Sequence, residues 1–81
     1  MMNIEYELAE MIREIKGFEK DQEIDLKGKQ FFEDFDFNSI DIMELLVRVE
    51  ERFSITFDPE ELMQVLNDCD QLVLFLERKK G

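Results

Sequence analysis

The stretch Glu33–Phe53, EDFDFNSIDIMELLVRVEERF, decides how this chain is built. Asp34, Asp36 and Asn38 alternate with phenylalanines, and Ser39 then opens an apolar run of helical period. A calcium loop, a helix cap and a serine displayed for chemistry all begin this way. The three acceptors match positions 1, 3 and 5 of an EF-hand loop. The match then fails: Ser39 stands where the loop needs its glycine, Asp41 where an apolar residue is usual, and Leu45 where a bidentate glutamate closes the site. The EF-hand is rejected, and no metal site is expected.

A serine before a helix ordinarily reads as its N-cap, but Asn38 is an equally good cap here, with Asp41 three residues on as a weaker capping-box partner. Ser39 then falls in the first helical turn with its hydroxyl outward, beside Ile40. As a nucleophile it lacks a base, because the chain contains no histidine and no lysine lies near it in sequence. Nothing resembles a nucleophile elbow, a zinc site or a phosphate loop, and "KGK" at Lys27–Lys29 is too short to be one. No catalytic residue is expected. An exposed serine without a base reads as a group that another enzyme modifies.

On a wheel of about 100° per residue, Ile42, Leu45, Leu46, Val49 and Phe53 form one core-facing stripe of the helix at 39–53. Ile40, Met43 and Val47 point the other way, beside Glu44 and Glu51. This second apolar face is either a wider core stripe or a docking surface, and its grouping at the serine end favours docking.

Outward from this segment the pattern is helical. Ile4, Leu8, Met11, Ile12 and Ile15 mark a first helix over 4–16, with Asn3 as N-cap and Gly17 as its stop. Residues 17–38 have no clean period, yet Phe18, Ile24, Leu26, Phe31, Phe32, Phe35 and Phe37 make them too apolar for a disordered linker. An ordered loop of about 20 residues pinned by these side chains is expected. Phe35 and Phe37 either fill the core or gate an apolar pocket. "DPEE" opens a short third helix over 59–66, with Asp58 as cap, Pro59 at its first position and Glu61 closing a capping box. Asp68 and Gln71 repeat the pattern for a fourth helix over 69–79, which turns Leu72, Val73, Phe75 and Leu76 inward. It stops near "RKKG", where Lys79 and Lys80 suit its negative end. The whole, residues 1–81, is one all-α domain: a small four-helix bundle with a long first loop and a short third helix.

Composition agrees. Three glycines and one proline are the counts of a helical chain, and 44% hydrophobic residues suffice for one core. Ten basic against 21 acidic residues give a formal charge of −11, which repels nucleic acid and anionic membrane and attracts proteins with basic patches. The single cysteine, Cys69, forbids an internal disulfide, and the acidic start MMNIEYELAE is unlike a signal peptide. A cytoplasmic monomer is the expectation. Cys69 reads as a small apolar core group and Met11 as core, while Met43 and Met63 are candidates for a binding surface. Leu74 points away from its helix's core stripe.

The run Phe31–Leu45, followed by "EERFSITF", resembles the acyl carrier proteins, whose pattern is close to F-x-E-D-L-G-x-D-S-L-D-x-x-E-L and leads into an acidic helix ending E-E-x-F. The helix order, the long loop and the "DPEE" start extend the resemblance over nearly the whole chain. It implies an acyl-carrier bundle in which Ser39 bears 4′-phosphopantetheine, esterified there from coenzyme A by a phosphopantetheinyl transferase. The arm's thiol would carry acyl groups as thioesters between enzymes of fatty-acid, polyketide or related biosynthesis, the protein catalysing nothing itself. Ile40, Met43 and Val47 would then be apolar contacts for the transferase and for acyl-loading and acyl-processing enzymes. Asp41, Glu44, Glu50 and Glu51 would be the charged contacts for the basic docking patches of these partners, and Asn38, which keeps a capping oxygen but lacks the charge, would be a further partner-binding residue. Two positions depart from the pattern: Asn38 replaces its aspartate before the serine, and Asp36 its glycine. An aminoacyl, peptidyl or D-alanyl carrier of the same superfamily is the nearest alternative. An unmodified acidic interaction module is the alternative from another class.

Overall fold

Every helix of useful length begins where the sequence supplies an acceptor for its free amide groups. The structure, a computed structural model, describes residues 3–80. Met1, Met2 and Gly81 lie outside the described residues, and with them the expected "RKKG" stop; so does the Lys80 side chain. Helix α1 (Ile4–Lys16) starts with Asn3 Oδ1 accepting from Tyr6 N at 3.0 Å. It ends at Gly17, whose φ of 71° is the left-handed conformation that glycine adopts without a Cβ clash. Helix α2 (Phe31–Asp34) is a single turn. Helix α3 (Ser39–Phe53) carries the reciprocal Asn38–Asp41 capping box, and α4 (Pro59–Val65) the Asp58–Glu61 one. Helix α5 (Cys69–Lys80) begins with Gln71 N donating to Asp68 Oδ1 at 3.2 Å.

These helices are amphipathic, so each buries one stripe. Helix α1 packs on α3 and on α5, and α4 packs on α5. The shared core takes Leu8, Met11 and Ile12 from α1, the five-residue stripe Ile42, Leu45, Leu46, Val49 and Phe53 from α3, Val65 from α4, and Cys69, Leu72, Phe75 and Leu76 from α5. Val73 is only partly buried against it. Leu74 is half exposed, and nothing in the structure explains an apolar residue there. The Cys69 thiol is fully buried, and burial, reinforced by the neighbouring Asp68, Asp70 and Asp34 charges, pushes its pKa up to about 12. Among the described residues no helix is long and apolar enough to cross a membrane.

The long loop is tied down along its length. Near its start the Arg13 guanidinium donates to the carbonyls of Glu19 and Gln22. In its middle Leu26 is buried in the core. Towards its end it is stitched to the α4–α5 junction: Cys69 N donates to Lys29 O and Phe31 N to Asn67 O, both at 3.1 Å, and Phe32 N donates to Asn67 Oδ1 at 2.9 Å. These bonds explain the one difference from the continuous loop expected over 17–38. They fix the first amides of α2, whose four residues are too few for any period to show. Phe31, Phe35 and Phe37 all enter the core, the Phe31 and Phe37 rings lying 5.4 Å apart. Phe35 and Phe37 fill it.

Candidate functional site

The chain has two serines, one at each end of α3. Ser54 is the C-terminal cap, left-handed at φ 55°, where the unpaired carbonyls of the last turn gather negative charge. Ser39 is the first helical residue, where unpaired amides gather positive charge. The cap does not need its hydroxyl. Asn38 Oδ1 accepts from Asp41 N at 2.8 Å, and Asp41 Oδ2 accepts from Asn38 N at 3.0 Å. Ser39 is exposed. An exposed hydroxyl, free of capping duty and at the positive end of a fifteen-residue helix, is well placed to carry an esterified phosphate.

The approach to Ser39 is braced from α1. Lys16 Nζ donates to Asp36 O at 2.8 Å and to Asp41 Oδ2 at 2.9 Å, and lies 5.8 Å from the centre of the Phe37 ring. Asp36 sits at φ 56°, a conformation that glycine adopts freely and aspartate tolerates better than most residues. The Lys16 hydrogen bond and the Asn38 amide hold the Asp41 carboxyl below its ordinary pKa of 3.8, more than partial desolvation raises it. Sequence reasoning missed Lys16, because its partners lie 20 and 25 residues away. The only local hint was a base in the last turn of α1.

Beyond Ser39 the outer face of α3 is open to solvent. Ile40 is 76% exposed, Met43 62% and Val47 51%. They form no part of a wider core stripe. The acidic residues named with them have diverse surroundings. Glu44 accepts from Arg48 at 2.7 Å, and the same guanidinium reaches Glu14 of α1 at 2.8 Å. Glu50 is half-buried and turns one oxygen to Phe57 N at 2.9 Å, which braces the chain after α3. Glu51 is exposed and lines an open groove between α1 and α3 with Glu7, Glu10, Glu14, Met11, Arg48 and Arg52. This groove does not reach Ser39. Across it Arg52 donates to Glu7 at 2.7 Å, which raises the guanidinium's already high pKa. Leu45, placed at the closing position of a calcium loop, is fully buried, and the Asp34 carboxylate accepts from Gln30 N at 2.7 Å. Met63 is 81% exposed on α4.

Comparison with known proteins agrees with this geometry. The profile of the family described as "Phosphopantetheine attachment site" matches residues 7–76. A protein described as "Acyl carrier protein" from Kocuria rhizophila is 36% identical over 74 residues, covering 91% of this chain and 88% of that protein. Another of the same description, from Kineococcus radiotolerans, is 31% identical with the same coverage. With the helical bundle and this match over most of its length, the chain belongs to the phosphopantetheine attachment-site family, a non-catalytic carrier whose prosthetic group is 4′-phosphopantetheine.

Proposed function

We propose that Ser39 is the residue that bears the prosthetic group, and that the chain carries acyl groups for fatty-acid, polyketide or related biosynthesis. The observation that carries this reading is the contrast between the two serines: Ser39 is exposed at the positive end of α3 and relieved of capping by Asn38, whereas Ser54 closes the negative end. The acyl cargo is supported by the two relatives described as acyl carriers. When bound, the arm supplies a terminal thiol that holds an acyl group as a thioester. The chain's own residues do the rest. Ser39 offers its hydroxyl: its Oγ–phosphorus bond replaces the phosphoanhydride bond of coenzyme A, 3′,5′-adenosine diphosphate leaves, and the serine proton passes to a base of the transferase. The strip of Ile40, Met43 and Val47, bordered by Asn38, Asp41, Glu44, Glu50 and Glu51, receives the phosphopantetheinyl transferase and the acyl-loading and acyl-processing enzymes.

Intact-protein mass spectrometry tests the site. The protein is incubated with coenzyme A, magnesium and a broad-specificity transferase, beside Ser39→Ala and Ser54→Ala. A single phosphopantetheine on the wild type and on Ser54→Ala, absent from Ser39→Ala, is expected. An addition that survives in Ser39→Ala overturns the assignment. No addition with transferases of several types brings forward the unmodified interaction module.

A further inference from the structure

The net charge of −11 suggests a carrier that meets its partners through open carboxylates. The residues next to Ser39 are arranged otherwise. Asn38, immediately before the serine, is neutral. Asp41, two residues after it, is paired with Lys16 at 2.9 Å, and both side chains are mostly withdrawn from solvent, 16% and 19% exposed. Glu44, one turn further, is paired with Arg48 at 2.7 Å. Both cations belong to the chain itself, Lys16 from α1 and Arg48 from α3, and the Arg48 guanidinium is shared with Glu14 of α1 at 2.8 Å. An ion pair projects a dipolar field, which falls off faster with distance than that of a lone charge and attracts an approaching cation less.

We propose that Lys16 and Arg48 are specificity-determining positioning residues: as internal counter-ions of Asp41 and Glu44 they mute the acidic charge around Ser39, so that the transferase recognises this site mainly through the apolar strip. The inference rests on Ser39 as the attachment residue. It selects a transferase whose contact surface around its active site is apolar and only weakly basic, in place of one that reads carboxylates. Lys16 also holds the Asp36 carbonyl, so the same side chain fixes the direction from which the loop delivers Ser39.

The test is the salt dependence of transfer. kcat/KM for phosphopantetheine transfer from coenzyme A is measured by intact mass at low and high sodium chloride for the wild type, Lys16→Met, Lys16→Arg and Arg48→Met. Lys20→Met is the charge-matched control, because Lys20 is exposed in the long loop and makes the same change in net charge. Unmasking a carboxylate beside Ser39 should make the loss of kcat/KM between about 50 and about 500 mM salt roughly threefold larger in Lys16→Met and in Arg48→Met than in Lys20→Met. Lys16→Arg should follow the wild type. A purely structural brace at Lys16 instead lowers kcat/KM equally at every salt concentration and leaves the slope unchanged, which overturns the inference. So does a slope in Arg48→Met no steeper than in Lys20→Met; this variant carries the test if Lys16→Met fails to fold by circular dichroism. Absence of any modification in the wild type, or modification of Ser39→Ala, defeats the Ser39 assignment itself and the inference with it.

Discussion

The two long faces of α3 are built from the same kinds of residue and do opposite things. Ile42, Leu45, Leu46, Val49 and Phe53 sit at the centre of the bundle, while Ile40, Met43 and Val47 stand in solvent on the other side. Burial of the first set is what a chain of 81 residues has to fold with, since a domain this small hides only about 60% of its unfolded surface. Exposure of the second set gains the fold nothing. The difference teaches that apolar residues at one helical period report a core, whereas apolar residues on the opposite face, beside a displayed serine, call for a partner.

The contrast is open to direct attack. Leu45→Ala should have the largest effect, a loss of about 2–5 kcal/mol, because the side chain is wholly buried and its removal leaves a cavity. Chemical denaturation would show it as a lowered midpoint with unchanged steepness. On the outer face Met43→Ala should leave stability within about 0.5 kcal/mol of the wild type and lower kcat/KM for phosphopantetheine transfer about fivefold. If Met43→Ala unfolds the protein as Leu45→Ala does, the two faces are not distinct. The C-terminal end of α3 gives a smaller effect: Ser54→Gly should stabilise by about 0.5–1 kcal/mol, because glycine accepts the left-handed cap without strain. A thermal melt that moves down instead would show that the Ser54 side chain is needed there.

The smallest effect concerns acid. The Asp41 carboxyl is held below its ordinary pKa of 3.8 in the folded chain, first by Lys16 and then by the Asn38 amide. The unfolded state therefore takes up its proton before the folded one does. The stability contributed by this carboxylate is fully present above pH 3.8 and is lost as pH falls through the lower, folded value. The melting temperatures of wild type and Asp41→Asn should differ at neutral pH and converge as acid is added below that point. A gap that widens in acid would contradict the pairing with Lys16.

Much of this architecture was legible because it is local. The caps Asn38–Asp41 and Asp58–Glu61 each join residues three apart, and the α3 stripe repeats within fifteen. The exposed apolar strip could be located from the wheel but not assigned, since periodicity alone cannot tell a wide core from a free face. What escaped is what distance hides. Helix α2 exists because Asn67 holds the amides of Phe31 and Phe32 from across the chain. The Lys16–Asp41 and Arg48–Glu14 pairs join residues 25 and 34 apart. Glu50 could be placed near the outer face, but its bond to the Phe57 amide depends on how the chain turns after Ser54. Asp36 stood out as a departure from a glycine, and its positive φ supplies the physical reason why that position favours glycine.

On the proposed function, the buried thiol of Cys69 has a consequence for the cargo. Acyl groups move between sulfur atoms when a thiolate attacks, so a carrier with an accessible, ionisable cysteine of its own would drain its cargo onto its own side chain. With burial pushing its pKa up to about 12, the Cys69 thiol stays protonated at neutral pH, and the core closes over it as well. The packing that gives Cys69 a place in the bundle also makes the protein chemically deaf to its own freight.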